Sequence, residues 1–422
     1  METWKSRLFG VDAPKECSID SQNKFVYDVL HDSYLWKDEV PDVNVSQSYY
    51  ASPESVLKEL RSSHDPFSFM MSAKEEKSYF QEGKNDNFGF DFIIAPIDET
   101  RYPLLISYVY PNSPAKLKGI NRGEFITKVD GIEITKTNYH DVLDVLEKQD
   151  SVTLTFLKQG AVTSQYIQKS TYNIEPILYH DVLRNGNHRV GYMVFQDFID
   201  TAIPSVDSVF ISFKQDHVND LILDLRYNGG GSDKIAGHLA SLIGGSNVAN
   251  NIFHRVSFNQ RYAHYNYEKH FEQQQANALN LNRVFVITTK ATCSASELVI
   301  NALRASANNI EVIQVGSATC GKPYGYAEAG IFCDKALFAI DMTTKNSDGE
   351  GDYIHGLIPT CSAEDGYLND FGDPSESMLQ EVLYYIDNGS CSSNKSARSA
   401  TSFKPKVLKL PKAGFKRIMG AY

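Results

Sequence analysis

The sequence lacks several features that would assign the protein to a class at once. Its 422 residues contain no apolar run approaching the roughly 18 residues that a membrane-spanning helix needs. Met1–Lys5 carries no apolar signal core, so an export signal is expected to be absent or already removed. The cysteines form no Cys-x-x-Cys pair, and neither G-x-G-x-x-G nor the P-loop pattern occurs. Neither a zinc site nor a nucleotide cofactor is therefore expected.

Composition and charge exclude further classes. With 42 % hydrophobic and 22 % charged residues, the chain is neither fibrous nor wholly disordered. The net charge of −11 divides into +8 for residues 391–422 and −19 for the rest. An acidic body repels phosphate backbones, so nucleic acid is not expected as a partner. The basic tail is interpreted as a solvated extension, with docking to an acidic surface as the alternative.

The six cysteines leave their pairing open. Cys333, Cys361 and Cys391 lie in or beside turn-rich sequence, so one disulfide among them is expected if the protein is exported. Cys293 and Cys320 flank the candidate catalytic residues described below. These two are expected to be unpaired thiols that pack as small hydrophobic side chains.

Hydrophobic periodicity divides the chain into four predicted parts. Residues 1–86 have apolar positions at helical spacing, and residues 87–165 form short alternating strands around a helix that begins at Tyr139. The run Val152–Phe156 is expected to be the last strand of this module. Strands and helices alternate through residues 166–390, which is typical of an α/β domain. Residues 391–422 form the basic tail. In the α/β part the predicted strands are 190–195, 220–225, 283–289, 310–315 and 335–342, and the predicted helices are 204–213, 233–242 and 294–305.

Ser294 lies where the predicted strand 283–289 runs through a short turn into a helix. A hydroxyl at a helix N-terminus is favoured as a nucleophile, because free N–H groups and the helix dipole stabilise developing negative charge. The N–H of Ala295 would then form half of an oxyanion hole. The structural alternative is that Ser294 is only a helix N-cap, with Glu297 completing a capping box.

Two further segments follow predicted strands at the same edge. Gly229, Gly230 and Gly231 come after the strand 220–225 and let the backbone approach a ligand, or they form an ordinary tight turn. Lys322 lies among small residues after the strand 310–315. Loss of solvation there would lower the pKa of its amine and allow it to act as a general base, although most single lysines are surface groups. The carboxyl ends of such strands are where α/β domains gather ligands.

These motifs resemble a known family. The order Asp224-Leu225-Arg226-x-Asn228-x-Gly230-Gly231, then Thr292-x-Ser294-Ala295-Ser296-Glu297, then Gly321-Lys322 is similar to the carboxyl-terminal processing peptidases, which are serine peptidases with a Ser-Lys dyad. The module at 87–165 looks like their PDZ domain, and Tyr34-Leu35-Trp36 with Asp65-Pro66-Phe67-Ser68 resembles their helical segment. The resemblance implies an α/β, ClpP/crotonase-like core with a PDZ-like domain and an N-terminal helical segment.

The resemblance also implies a role for each matching residue. Ser294 matches the nucleophile and Lys322 the general base, while Gly230 and Ala295 match the oxyanion hole. Ser296 and Glu297 are interpreted as supporting residues, with Ser296 as an alternative nucleophile. Asp224 and Arg226 are expected to hold the glycine loop. Phe88, Gly89 and Phe90 match the loop that binds a substrate carboxylate, beside the groove helix 139–146.

Three positions depart from the family pattern. Gly229 replaces a common proline, the spacing from Ser294 to Lys322 is slightly long, and Tyr326 stands where many members have a glutamine that orients the lysine. A phenol can still hydrogen-bond an amine, so Tyr326 is retained as a supporting residue.

The implied function is hydrolysis of peptide bonds near the free C-terminus of protein substrates, without metal or cofactor, in the bacterial cell envelope. Three alternatives stay open. The first is an inactive peptide- or ligand-binding protein on the same scaffold. The second is a triad that uses His188, His254 or His355. The third is an acyl-CoA enzyme of crotonase architecture, which the inserted peptide-binding module disfavours.

Overall fold

The computed structural model describes residues 7–8, 10–158, 161–273 and 275–392. The predicted tail therefore lies outside the described residues from position 393 onward. None of the helices in these ranges is both long enough and apolar enough to cross a membrane. The helices are α1 Ile19–Asp32, α2 Pro53–Leu60, α3 Ala73–Glu76, α4 Pro114–Leu117, α5 Tyr139–Lys148, α6 Ile203–Gln215, α7 Asp233–Gly244, α8 Ala295–Leu303 and α9 Ser377–Asn388.

Strands make up five sheets and one short terminal pair in the described ranges. The first group is β1 Arg7–Leu8, β2 Val11–Asp12, β3 Phe69–Ser72, β4 Lys84–Asn87, β5 Phe90–Ile94, β6 Leu104–Val109, β7 Phe125–Val129, β8 Ile132–Glu133, β9 Ser151–Lys158, β10 Ala161–Gln168 and β11 Ser170–Asn173. The second is β12 Ile177–Asn185, β13 His188–Phe195, β14 Asp220–Asp224, β15 Ile252–Phe258, β16 Tyr267–His270, β17 Arg283–Thr288, β18 Glu311–Gly316, β19 Tyr324–Gly325, β20 Gly330–Phe332, β21 Lys335–Phe338, β22 Met342–Lys345 and β23 Cys361–Ser362.

The central sheet, as far as the chain is described, has the order β12-β13-β14-β17-β18-β23. All its pairs are parallel except β12 with β13. Strand β14 is buried along its whole length, because helices cover both faces of the sheet. One face packs against α6, α7 and α8 and the other against α9. The parallel strands end at one edge, which brings the loops after β14, β17 and β18 together.

A second, antiparallel sheet has the order β10-β9-β7-β6-β5 within the described ranges, with β8 paired to β7. Its apolar side packs against α4 and α5 in a cluster that includes Ile106, Ile126 and Val142. Strands β4 and β11 pair with each other where the chain enters and leaves this module. Strand β5 is at the edge of the sheet, and α5 lies on the same module.

The N-terminal helices pack against the α/β part of the chain. Ser52 caps α2 by accepting a hydrogen bond from Ser55 N–H, and Pro53 occupies the first turn, as their order in the sequence predicts. The apolar faces of α1 and α2 bury against residues that include Phe332, Leu337 and Ile340. Strand β3 extends this contact by pairing with β21.

Two expectations about strands are wrong. The single strand predicted over 335–342 is two strands, β21 and β22, which belong to different sheets. The break occurs because the backbone of Ile340 binds the N-terminal segment: its N–H donates to Ser68 Oγ at 2.9 Å and its carbonyl accepts from Leu35 N–H at 2.8 Å. The run at Val152–Phe156, expected to be the last strand of its module, is followed by β10.

Candidate active site

Ser294 occupies a strained turn between β17 and α8. Its backbone has φ +56° and ψ −116°, a conformation that residues with a side chain rarely adopt. The side chain is half-buried. Ala295 is the first residue of α8, where no preceding carbonyl of the helix can accept its N–H. The turn thus presents a hydroxyl next to a backbone donor at a helix N-terminus.

Glu297 joins this turn to the loop that carries Lys322. Its Oε2 accepts the backbone N–H groups of both Ser294 and Lys322 at 2.9 Å. Its Oε1 accepts from Gly321 N–H at 2.8 Å and from the Thr319 hydroxyl at 2.5 Å. Burial raises the pKa of the carboxyl despite these hydrogen bonds. Glu297 therefore does more than cap α8, because its carboxylate also binds the Lys322 loop and so holds the two predicted catalytic segments together.

The Lys322 amine is buried, and few neighbouring groups compensate for its loss of solvation. Its side chain is 2 % exposed, and burial lowers its pKa to about 8, although the charges of Asp65 and Glu297 oppose the shift. The Nζ lies 5.5 Å from the ring centroid of Phe67 and 5.3 Å from that of Tyr326. Within the described ranges Nζ forms no ion pair, and no hydrogen bond joins it to the hydroxyl of Ser294. A substantial neutral fraction at mild alkaline pH makes this amine a competent base.

Gly230 lies against the Ser294 turn. A Cβ added at Gly230 would come within 2.7 Å of Ser294 Cβ and 2.9 Å of the Ala295 nitrogen, and its φ of +103° also favours glycine. The N–H of Gly230 donates to Asn228 Oδ1 at 2.8 Å. Its role as an oxyanion donor stays a prediction, which requires this hydrogen bond to be exchanged for one to the substrate oxygen.

A buried ion-pair network anchors the glycine loop. The fully buried Arg226 binds Asp224 through Nε at 3.0 Å, Glu376 through Nη2 at 2.9 Å and Asp365 through Nη1 at 2.9 Å. Each charge in this cluster has a partner of opposite sign, which lowers the cost of burying it. Asp224 and Arg226 thus occupy positions from which they can hold the loop.

The expectation for Cys293 and Cys320 is wrong, because the two form a disulfide. Their Cα atoms lie 5.2 Å apart, because the turn after β17 and the loop after β18 run side by side. Cys361 bonds Cys391, which agrees with one disulfide in the C-terminal third, and Cys17 bonds Cys333. All six cysteines lie in the described ranges and none is free.

Two clusters could supply metal ligands by position, but their chemistry does not suit a metal. They are Cys293 with Glu297 and Cys320, and Cys361 with Glu381 and Cys391. In both clusters the sulfur atoms are tied in a disulfide, so neither offers a thiolate.

The remaining predicted catalytic residues are Ser296, which lies next to the site, and the three candidate histidines. Ser296 is fully buried and its hydroxyl donates to the Asn228 carbonyl at 3.0 Å, so it lies beneath the glycine loop. His188 binds Asp220 at the opposite edge of the central sheet, and His254 is buried on β15. The backbone carbonyl of His355 lies 3.4 Å from Lys290 Nζ.

The predicted carboxylate loop lies beside the edge strand β5. Gly89 has φ +84°, and a Cβ there would meet the Ser113 side chain at 2.0 Å. The Gly89 N–H donates to Asn87 Oδ1 at 2.8 Å, while the Phe88 carbonyl accepts from the first turn of α4. Phe88 is buried and Phe90 is half-buried, with their rings 6.3 Å apart. Peptide binding at these residues stays a prediction.

Sequence reasoning did not assign Asp65, Phe67 and Asn228 to the site. Asp65 is buried and accepts the Tyr34 hydroxyl at 2.7 Å and the Phe67 N–H at 2.8 Å, which holds the Phe67 segment beside Lys322. In the sequence, the segment 65–68 stands out only as a family-like motif. No local pattern shows that a loop some 250 positions away along the chain folds onto it.

Comparison with known proteins agrees with this architecture. The model of peptidase family S41 matches residues 189–357, the model of the S41 N-terminal domain matches residues 21–69, and a PDZ-domain model matches residues 105–158. A CtpA-like serine protease of Staphylococcus haemolyticus is 24 % identical over 210 residues, covering 49 % of this chain and 39 % of the relative. The carboxy-terminal processing protease CtpA of Bacillus subtilis is 24 % identical over 312 residues, covering 72 % and 62 %.

The chain thus spans less than two thirds of the length of these curated relatives. Among solved structures, a Bacteroides fragilis protein assigned to the S41 proteases is 25 % identical with a TM-score of 0.69, covering 86 % of this chain and 97 % of that one. The fold class and the family resemblance read from the sequence are confirmed: residues 189–357 match peptidase family S41, and the fold is similar to that of a solved S41 structure.

Proposed function

We propose that this chain is a serine endopeptidase that cleaves peptide bonds near the C-terminus of protein substrates, with Ser294 as nucleophile and Lys322 as general base. The observation that carries the proposal is the burial of Lys322, which lowers the pKa of its amine to about 8 beside the strained Ser294 turn. The match of residues 189–357 to peptidase family S41 supports the same reaction class.

In the proposed reaction, neutral Lys322 takes the proton of the Ser294 hydroxyl as its oxygen attacks a peptide carbonyl. The developing oxyanion is stabilised by the Ala295 N–H and by an N–H of the glycine loop. Protonated Lys322 then gives the proton to the departing amine, and water hydrolyses the acyl-enzyme with Lys322 again as base. The first transfer requires the lysine side chain to swing toward the hydroxyl, which is common in unliganded sites.

The PDZ-like module would hold the substrate C-terminus. Strand β5 at the sheet edge can accept an extended peptide as an additional strand, and the loop at Phe88–Phe90 lies at the start of that strand. Lys169 Nζ lies 5.2 Å from the Phe88 ring centroid, which places a cation near the proposed carboxylate site. The amine also donates to the Glu147 carbonyl at 2.6 Å, so its position is restrained.

The nucleophile is tested by covalent labelling with a serine-reactive phosphonate and by hydrolysis of a denatured protein substrate. Ser294→Ala should abolish labelling and lower hydrolysis by about 10⁴-fold or more. Ser296→Ala should keep the label on Ser294 at a reduced rate, because Ser296 only supports the loop. Hydrolysis that survives Ser294→Ala would refute the assignment.

The carboxylate preference is tested with paired peptides that differ only at the C-terminus. The free acid should be cleaved with a KM at least about tenfold lower than that of the C-terminal amide, since a charged hydrogen bond contributes about 1.5 kcal/mol or more. Equal KM values for the two peptides would remove the PDZ-like loop from the proposal while leaving the Ser-Lys reaction intact.

An oxidising compartment such as the bacterial cell envelope is the proposed location. Three disulfides support it, because such bonds persist outside the reducing cytosol. Trapping thiols with a maleimide in intact cells should leave all six cysteines unmodified. Rapid modification of native protein would place it in a reducing compartment instead.

A further inference from the structure

We propose that the Cys293–Cys320 disulfide positions Ser294 against Lys322, so that its reduction by a dithiol lowers the catalytic rate. The inference rests on the proposed Ser-Lys function. It assigns a role to two residues that neither the sequence nor the family match places in the site.

The bond links the two catalytic segments close to both functional groups. Cys293 immediately precedes Ser294, and Cys320 lies two residues before Lys322. The same segments are otherwise held by hydrogen bonds: Glu297 bonds to both, and Cys320 N–H donates to the Thr292 carbonyl at 2.9 Å. The disulfide is thus a covalent restraint between a turn and a loop that would otherwise depend on hydrogen bonds alone.

The two cysteines of this bond differ in burial. Cys293 is fully buried, whereas Cys320 is only half-buried. A thiolate of an external dithiol can attack Cys320 Sγ, which breaks the S–S bond and releases the Cys293 sulfur as a thiolate. The second thiol of the dithiol then resolves the mixed disulfide, leaving two reduced cysteines and one oxidised dithiol. The Cys293 thiolate leaves at the N-terminal end of α8, where the helix dipole stabilises negative charge.

Reduction would loosen the site rather than unfold it. The hydrogen bonds of Glu297 remain, so Ser294 and Lys322 stay near each other but sample a wider range of separations. A misplacement of about 1 Å between reacting groups costs up to about 10²-fold in rate, so we expect kcat to fall between about 10- and 100-fold. The PDZ-like sheet is untouched, and KM should change less than about twofold. A looser loop also hydrates Lys322, which should move the pH midpoint of activity upward.

The Cys361–Cys391 disulfide provides a matched control. It closes a loop of nearly the same length, with a sequence separation of 30 against 27, so the two bonds constrain the unfolded chain almost equally. Cys361 lies on the edge strand β23 and Cys391 follows α9, and neither residue adjoins a proposed catalytic group. A stability effect common to both disulfides can therefore be separated from a catalytic effect of one.

The experiment compares the Cys293→Ala/Cys320→Ala and Cys361→Ala/Cys391→Ala variants with the parent chain. Melting temperature, kcat, KM and the rate of phosphonate labelling are measured from pH 6 to pH 10. The first variant should lose 10- to 100-fold in kcat and labelling rate with an upward shift of the pH midpoint. The control variant should keep both within about twofold at a similar melting temperature. Equal losses in the two variants, or none in the first, would overturn the proposal.

Reduction of the native bond gives a second measurement if the first variant does not fold. The Cys361→Ala/Cys391→Ala chain is treated with dithiothreitol, and mass spectrometry of alkylated peptides follows Cys293 and Cys320. Cys17 and Cys333 are followed in parallel, so that reduction of their bond is distinguished. Activity should fall as Cys293 and Cys320 become alkylatable and recover on reoxidation. Full Ser294-dependent activity with both cysteines reduced would overturn the positioning role alone. Loss of the Ser-Lys function itself appears separately, as hydrolysis that persists in Ser294→Ala.

Discussion

The amino ends and the carboxyl ends of the parallel strands in the central sheet place charged side chains in opposite environments. At the amino ends of β13, β14 and β17, Asp220 binds His188 Nδ1 and Arg283 Nε, both at 2.5 Å, and both of these side chains remain partly exposed. At the carboxyl ends, Lys322 is buried without an ion pair in the described ranges and faces two aromatic rings. The first arrangement gives the buried Asp220 carboxylate hydrogen-bonding partners. The second lowers the pKa of the Lys322 amine.

The contrast indicates that charged side chains at the amino ends contribute to stability, whereas Lys322 at the carboxyl ends is available for the proposed reaction. A paired surface cation contributes to stability and can be replaced with little effect on a distant reaction. A buried amine lowers stability when it is charged, and an amine that is retained in such a place is a candidate for a chemical role. Substitutions at the two edges should therefore move stability and activity in opposite directions.

The largest effect is expected from Lys322→Met. Removing the base should lower kcat by at least about 10³-fold, while loss of a buried charge should raise the free energy of unfolding by about 1–2 kcal/mol. Arg283→Met at the opposite edge should do the reverse, with activity kept within about twofold and stability lowered by about 1 kcal/mol. Urea unfolding and peptide hydrolysis measure both quantities. Destabilisation by Lys322→Met would show that the lysine is structural.

The next effect concerns glycines in the left-handed region. Gly230→Ala places a methyl group 2.7 Å from Ser294 Cβ and should reduce kcat by about 10²-fold. Gly186 also has positive φ, +57°, but a Cβ there would meet nothing within 4 Å. Gly186→Ala, on the β12–β13 hairpin, should thus lose about 1 kcal/mol of stability and no activity. Similar activities in the two variants would contradict a close approach at Gly230.

In the wild-type chain, kcat/KM is expected to rise about tenfold per pH unit below the pKa of Lys322. The charged amine cannot accept a proton, so kcat/KM should rise with pH up to about 8 and then level off. The Arg283→Met variant should keep the same profile, because its edge of the sheet does not touch the site. A pH-rate profile with a midpoint near 6.5 in the wild-type chain would point to a histidine instead.

The smallest effect concerns Asp341, which lies between β21 and β22. Burial raises the pKa of this carboxyl to about 8, and both of its oxygens accept the Ala327 N–H at 3.1 Å. Folding favours the protonated carboxyl, which therefore stabilises the folded state. This stabilisation is fully present below the ordinary pKa of 3.8 and is lost as pH rises through the raised pKa of about 8. Asp341→Asn should reduce the fall in melting temperature between pH 5 and pH 8. An unchanged fall would show that another group titrates.

How far the sequence can be read depends on whether a pattern is local. The buried strand at 220–224 and the helix at 139–148 follow from runs and periods within a few residues of each other. Strand β10 is largely exposed and includes Thr163, Ser164 and Gln165, so its composition does not distinguish it from a loop. It is a strand because β9 pairs with it along its whole length.

The candidate site divides in the same way. Ser294, the glycine loop and Lys322 stand out because small residues after a buried strand are a local signal. The Cys293–Cys320 bond, the sharing of Glu297 between two segments and the contribution of Phe67 from the N-terminal part have no such signal. Each depends on which loops become neighbours once the parallel strands are ordered.

The sequence by itself predicted most of the element types, the resemblance to peptidase family S41 and the residues proposed to carry the chemistry, because periodicity, turn residues and short motifs act within a few positions. Only the tertiary structure decided the environment of Lys322 and the partners of the cysteines. Burial, pKa and disulfide pairing are set by groups far apart in the chain, and these meet only after the sheet has assembled.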